Sequence, residues 1–403
     1  MAGAPSATQA PQGGSTAQAP TAAGGTTPAT ASVVPFLRGS GKGKYKFYSK
    51  SGLTLTTATQ DLGPIDVKAY DYMRSILVTL TNTAAGGALG TVQADGPFNC
   101  FTNVSVLQPN GQTMYQVSGG HQAAMISKWG AYRAWSDPRS DPNYASTGSA
   151  STFAFRIPFE LDLRDALGAL PNKDAAAPFT IELGLNSTST IFTTAPGTAP
   201  TIKITPILEA YDQPPETLDG KQVQTTPPNM NSLQRWTEQS ITMASGSFDA
   251  RVRKLGNYVR MLIFISKLST GIRGTTPLAV SGYTASTTWS DPMQIVLDED
   301  VKDNIPLWLW QRDIWEIWGY GGLAGGATAL PANDAAGGFD DAVFPYQYCA
   351  VRDDPTVEDV AKYLPTIESE DYLLRGQSWG TSVSKLVILK CEVLPRGDIF
   401  GDA

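Results

Sequence analysis

Met73-Arg74-Ser75-Ile76-Leu77-Val78 is echoed by Val259-Arg260-Met261-Leu262-Ile263-Phe264, 186 residues further on. Short apolar strings recur by chance, so what matters is whether the surroundings recur in the same order. They do. Trp129-Gly130 and Trp318-Gly319, each closing a stretch with helical spacing, lie 189 residues apart. Phe153-Ala154-Phe155-Arg156-Ile157-Pro158 and Val343-Phe344-Pro345-Tyr346 are aromatic strands with a proline, and Phe155 and Phe344 are again 189 apart. Ile202-Lys203-Ile204-Thr205-Pro206 and Lys385-Leu386-Val387-Ile388 close the series at an offset of about 182. Four landmarks in one order at nearly one spacing predict a tandem pair of similar domains.

Each half is read as β-structure. Ile76, Val78 and Leu80 alternate with Leu77, Thr79 and Thr81; Ile181, Leu183 and Leu185 with Thr180, Glu182 and Gly184; Val387, Leu389, Cys391 and Val393 with Ile388, Lys390 and Glu392. A period of two with one strongly apolar face is the signature of a strand lying on a core. Gln108-Pro109-Asn110-Gly111 is a hairpin turn candidate. Only Gly120 to Tyr132 and Asp303 to Trp318 read as helix. The 39 Gly and 28 Pro among 403 residues suit turns rather than long helices. The expected fold is mainly β: two tandem eight-stranded antiparallel jelly rolls, each with one short helix inserted. The expected organisation is a flexible N-terminal arm (1–43), a first jelly roll (44–212), a Pro-rich connector (213–232), a second jelly roll (233–397) and a C-terminal tail (398–403). Pro214-Pro215 and Pro227-Pro228 mark the connector, because paired prolines resist helix and central strand alike.

The composition leaves little room for catalysis. The chain has one histidine, His121, and three well-separated cysteines, Cys100, Cys349 and Cys391. The commonest proton shuttle and metal ligand is thus nearly absent, no disulfide or zinc pattern is spelled out, and no cofactor, metal or catalytic residue is expected. Gly376-Gln377-Ser378-Trp379-Gly380 matches a nucleophile elbow, but a strand follows it where a helix is needed, and no histidine lies downstream. Gly319-Tyr320-Gly321-Gly322-Leu323-Ala324 has dinucleotide-type spacing, but it follows a helix instead of a strand. Asp298-Glu299-Asp300 with Asp303, Asp340-Asp341, Asp353-Asp354 and Glu368 with Glu370 and Asp371 read as solvated acidic loops. A net charge of −7, with 17% charged residues, argues against sequence-specific nucleic-acid binding built on phosphate contacts. The longest apolar stretch, Tyr258 to Ile265, is interrupted by Arg260 and is too short for a membrane helix, and the N-terminus does not read as a secretory signal.

Two features read as surfaces. Residues 1–37 carry no charge and are built from Ala, Thr, Gly, Pro, Ser and Gln, a composition that does not order by itself. Arg38, Lys42, Lys44, Lys46 and Lys50 follow without an intervening acid, a stretch suited to an anionic surface such as lipid head groups or packaged nucleic acid. The second is the tryptophan set Trp308, Trp310, Trp315 and Trp318, with Trp129 in the equivalent place of the first half. Leu307, Ile314, Trp315 and Trp318 form one helical stripe, so these tryptophans are expected in a helix core or a subunit interface rather than a ligand cage.

An uncharged arm followed by two tandem sandwich halves with tryptophan-bearing helices resembles the double jelly-roll major capsid proteins of tailless, membrane-containing icosahedral double-stranded DNA bacteriophages, the tectivirus-like group. The resemblance spans residues 44–397 in architecture and size. Its most family-like segment is Phe153 to Leu161 followed by Phe179 to Leu183, which looks like paired strands late in a first roll. The resemblance implies a structural protein without enzymatic activity. Its partners would be itself, as homotrimers of pseudo-hexagonal outline that tile a virion shell, and other capsid proteins such as vertex or cement proteins. The arm and its basic stretch would face the internal membrane or genome, the strands would stand upright in the shell, and loops 267–291 and 319–341 would face outward or toward neighbouring trimers. The host cytoplasm would hold the protein before assembly. The rival readings are a carbohydrate-binding or carbohydrate-cleaving β-sandwich using the acidic pairs and tryptophans, and another phage structural component such as a spike, vertex or tail protein.

Overall fold

The computed structural model describes residues 33–394 apart from 84–89, 94, 131–137, 141–150, 163–164, 229–232, 245, 270, 272–289, 307, 311, 314–342, 349, 352–353, 359–362, 368 and 377–382. The first roll is built from β1 (Lys42–Lys46), β2 (Gln60–Asp66), β3 (Tyr72–Thr83), β4 (Phe101–Leu107), β5 (Thr113–Val117), β6 (Ser151–Pro158), β7 (Thr180–Leu185) and β8 (Thr201–Tyr211). The second uses β9 (Leu233–Thr242), β10 (Phe248–Arg251), β11 (Tyr258–Leu268), β12 (Met293–Leu297), β13 (Asp300–Ile305), β14 (Val343–Gln347), β15 (Tyr372–Gly376) and β16 (Val383–Leu394).

The spatial orders are β1-β8-β3-β6 facing β2-β7-β4-β5 in the first roll, and β9-β16-β11-β14 facing β10-β15-β12-β13 in the second. Adding eight to every strand number of one roll generates the other, so the duplication read from the sequence is a duplication of topology. It holds to the residue. Leu77 lies opposite Ile207 and Arg156. Its equivalent Ile263 lies opposite Leu389 and Pro345. These pairings reproduce the offsets of 186, 182 and 189.

Within the first roll the alternation works as read: Ile76, Val78 and Leu80 are buried while Leu77, Thr79 and Thr81 are half-buried. Phe98 and Phe101 meet Phe153 and Phe155 edge-on, with ring centroids 4.8 and 5.5 Å apart, and close the space between the two sheets. The Gln108–Gly111 segment is a hairpin turn, with the Gly111 amide donating to the Gln108 carbonyl at 2.8 Å and Gly111 in the left-handed region at φ 79°.

Four expectations need correction. The strand around Phe155 and the strand around Leu183 are not paired: β6 lies against β3 and β7 lies between β2 and β4, in facing sheets. Wrapping a jelly roll sends these successive strands to opposite layers. Next, Asp303 does not begin a helix, because β13 runs to Ile305; Pro306 ends it, and residues 308–310 and 312–313 are helical. The periodicity of that stretch hid a strand-to-helix junction. The first-half helix is as read at its start, and α2 spans Gly120–Trp129, following a single turn α1 (Phe36–Gly39). Third, β16 has no solvent face: Ile388, Lys390 and Glu392 are buried along with Val387, Leu389 and Cys391.

Finally, the ordered fold begins before residue 44. Phe36 is buried edge-on between the rings of Tyr72 and Tyr211. Val34 pairs with Val223 of the connector, its amide donating to the Gln222 carbonyl at 2.8 Å, and Lys42–Lys46 is a strand on β8. One large aromatic gives an otherwise small-residue segment enough apolar area to dock.

The two rolls are fused rather than strung. β5 and β9 pair in parallel at Tyr115 and Trp236, joining one sheet of each roll into a continuous nine-stranded sheet. A single apolar cluster runs through both rolls and includes Trp129 and Trp236. Gly130, just past α2, is held so close to Trp236 that an added Cβ would sit 2.5 Å from the indole ring. Its φ of −93° suits any residue, so the constraint is steric alone. Gly130→Ala is therefore expected to destabilise the protein by about 1–3 kcal/mol, read as a lowered urea midpoint, and an unchanged midpoint would show that the contact is slack.

Candidate assembly surface

The junction inside the chain shows how one roll binds another. On β9 the outward-facing residues Gln234 and Trp236 alternate with the half-buried Arg235 and Thr237. Trp236 is fully buried, and its Nε1 donates to Gln234 Oε1 at 3.1 Å. Gln234 Nε2 in turn donates to the Glu160 carbonyl at 2.7 Å, and Arg260 donates to the Gly130 carbonyl at 2.8 Å. Ser118, at the end of β5, gives its amide and its hydroxyl to the two carboxylate oxygens of Glu238 at 2.6 and 2.7 Å. The outer sheet face of the second roll is thus apolar (Trp236, Met261, Ile263, Leu389 and Cys391) and is covered by the first roll, with polar bonds around its rim. That cover is why β11 and β16 are buried on both faces.

The equivalent face of the first roll has other chemistry. Register places Lys44 where the second roll has Trp236, Glu209 where it has Cys391, and Ser75 where it has Met261. Glu209 is the centre of this face. It accepts from Arg156 Nε at 2.7 Å and Nη2 at 3.2 Å and from Ser75 Oγ at 2.6 Å, with Lys44 Nζ at 3.3 Å. Burial pushes the Glu209 carboxyl up, but the hydrogen bonds and charge of Arg156, with Ser75 and Lys44, outweigh this and hold it down at about 2. Close by, Glu160 is bonded by Arg74 and by the Tyr211 hydroxyl. For Glu160 burial wins, and its carboxyl is raised despite the Arg74 charge.

The residues singled out from the sequence divide as follows. Lys42, Lys44 and Lys46 project from one face of β1, which among the described residues is an edge strand paired only with β8; Lys42 lies over the Tyr211 ring and Lys44 beside Glu209. Arg38 is exposed at the end of α1, and Lys50 is exposed on a short strand (Lys50–Thr54) that pairs further along β8. Trp129 is fully buried at the end of α2. Trp310 is also core: it meets Phe264, Phe344 and Tyr346 edge-on and donates from Nε1 to the Pro345 carbonyl at 2.9 Å. Trp308, by contrast, is 53% exposed. Trp315, Trp318, Cys349 and most of loops 267–291 and 319–341 lie outside the described residues. Sequence reading missed Trp236, Glu209 and the Lys390–Glu392 pair, because no local pattern distinguishes them before the strands are laid side by side.

The titratable groups beside the junction, and His121, are engaged in structural contacts. A cavity of about 520 Å³ beside the junction is lined by Arg235, Glu238, Arg253 and Lys390. Glu238 is held by Ser118 there, and Lys390 is paired with Glu392 at 2.8 Å. His121 is buried, with Nε2 3.7 Å from Asp95. Among the described residues no cluster of His, Cys, Asp or Glu is arranged to hold a metal ion. Cys100 and Cys391 are buried thiols outside any disulfide, and Cys391 Sγ donates to Gln234 Oε1 at 3.7 Å.

No protein-family model matches the chain, and no curated protein matches it in sequence. Among solved structures it is similar to VP54 of PBCV-1, fitted into a reconstruction of the virophage Sputnik, with a TM-score of 0.55 and 11% identity over 88% of this chain and 93% of that one. A chain of the PBCV-1 virus capsid gives a TM-score of 0.53 and 12% identity over 88% and 93%. The major capsid protein of STIV, the Sulfolobus Turreted Icosahedral Virus, gives 0.51 and 12% over 87% and 97%. At such identities the likeness is one of fold: the chain has the double jelly-roll fold of these viral major capsid proteins.

Proposed function

We propose that this chain is a structural major capsid protein that self-assembles, as homotrimers of pseudo-hexagonal outline, into an icosahedral virion shell, without enzymatic activity. The observation that carries the reading is the strand-for-strand equivalence of two rolls fused by a sheet, within a fold shared with viral major capsid proteins. Two equivalent rolls per chain give three copies six similar corners, and a shell subunit needs large self-complementary surfaces instead of a catalytic cleft. Vertex or cement proteins would be further partners, and the residues before 33 would face the interior, toward membrane or genome. The protein would pass from the host cytoplasm to the virion.

Of the two tryptophans the sugar-binding alternative relies on, Trp310 is enclosed by Phe264, Phe344 and Tyr346, and Trp308 alone is exposed. Mass measurement and electron microscopy of the purified chain test the proposal. Particles of three times the 42.9 kDa chain mass with a hexagonal outline are expected. A strict monomer at high concentration under every salt condition would overturn it.

A further inference from the structure

The fusion of the two rolls leaves one edge strand in each roll without a counterpart among the described residues. Inside the chain, β5 of the first roll pairs in parallel with β9 of the second through Tyr115 and Trp236. The strand equivalent to β5 is β13, and the strand equivalent to β9 is β1. Each is an edge strand with one hydrogen-bonding side unused by any sheet among the described residues. An unused edge is a template for another strand.

Counting fixes the register. Tyr115 lies two residues before the end of β5, and Asp303 two residues before the end of β13; in both rolls the same bulge follows in the pairing, Val106 facing Tyr115 and Leu107 facing Thr113 in the first, Ile295 facing Asp303 and Val296 facing Val301 in the second. Lys44 is the equivalent of Trp236, because Glu209 opposite Lys44 corresponds to Cys391 opposite Trp236. Where the chain brings Tyr115 to Trp236, a repeat of the same contact between copies brings Asp303 to Lys44.

The chemistry suits the exchange. The β1 edge carries Lys42, Lys44 and Lys46. On β13, after the turn Asp298-Glu299, Asp300 is already paired with Lys302 at 2.6 Å, which leaves Asp303 as the acid of that edge. Asp303 is half-buried and forms no ion pair among the described residues; burial and the neighbouring Asp313 both raise its carboxyl, as befits an acid lacking a cation. The Lys44 side chain is 68% exposed despite its contact with Glu209. Val301, two residues before Asp303 on β13, and Trp308, in the helical turn past the strand's end, are both exposed.

We infer that β13 of one copy pairs in parallel with β1 of the next, with Lys44 of one copy set against Asp303 of the other, so that the contact between copies repeats the contact between the two rolls of one chain. This rests on the self-association proposed above and names its surface. The contact is heterologous, so it propagates head to tail until the ring closes. An apolar fit where the rolls are permanently joined, and a charged one where copies must meet in solution, matches the role of electrostatic complementarity in encounter and register.

Co-expression of a Lys44→Cys chain with an Asp303→Cys chain tests it directly, since a bond between them can only be intermolecular. A cross-linked species of two chain masses is expected in the mixture and not, above the wild-type level, in either variant alone. In parallel, Lys44→Asp and Asp303→Lys are each expected to weaken trimer formation by about tenfold or more, and the two together in one chain to restore it to within about threefold. Trimers that form normally with no specific cross-link and no rescue would overturn this contact while leaving self-association standing. A wild-type chain that never associates would overturn both.

Discussion

Trp236→Ala is expected to cost about 3–5 kcal/mol, the range for emptying a fully buried tryptophan site. Trp236 is the residue through which the rolls share a sheet, lying against Gly130 at the end of α2 and opposite Tyr115 of β5. The neighbours cannot collapse into the space easily, because the backbones on both sides are held by sheet pairing. Removing the indole also takes the Trp236 donor from the Gln234 side-chain oxygen, leaving it the weaker Cys391 thiol at 3.7 Å. Because the loss falls on the contact between rolls, urea unfolding followed by circular dichroism should change from one transition toward two. A loss below about 1 kcal/mol with a single transition would show that the rolls are held together elsewhere.

The second large effect is electrostatic. Glu209→Ala removes the carboxylate that accepts from Arg156 and from the buried Ser75 hydroxyl, and about 3 kcal/mol of destabilisation is expected. Glu209→Gln retains much of the shape and some of the hydrogen bonding, and should lose less. Acid separates charge from shape. The folded-state value lies near 2, below the ordinary 4.5, so the ionised form is favoured by folding. The contribution is therefore complete above about pH 4.5 and is removed as pH falls toward 2, amounting to roughly 3 kcal/mol. Melting temperatures of wild type and Glu209→Gln should converge across that interval. A gap that stays constant down to pH 2 would mean that the charge of Glu209 does not contribute.

The positions that carry these effects differ in how far they could be read from the chain. The duplication was legible because strands β3, β6 and β8 recur as β11, β14 and β16 with similar apolar strings, and their offsets survive as register. The basic stretch was legible as chemistry but not as structure. Lys42-Gly43-Lys44-Tyr45-Lys46 has the alternation of a strand, yet its proximity to a low-complexity segment made it look like part of an arm. What anchors it is Phe36 among Tyr72 and Tyr211, residues distant in sequence. The tryptophans of the second helix were legible as a cluster, but which of them is enclosed depended on where β13 stops and the helix turns.

By itself, then, the amino-acid order determined the strand period, the twofold repeat and the scarcity of catalytic side chains, since each of these is a local or compositional property that needs no partner to be visible. Only the tertiary structure decided that the rolls share one sheet, that Lys390 and Glu392 sit inside as a pair at 2.8 Å, and that Glu209 is ionised beneath Arg156 and Lys44. The reason is that burial of a polar group depends on the partner that compensates it. Those partners are Arg156 for Glu209, 53 residues earlier, and the Glu160 carbonyl for Gln234, 74 residues earlier.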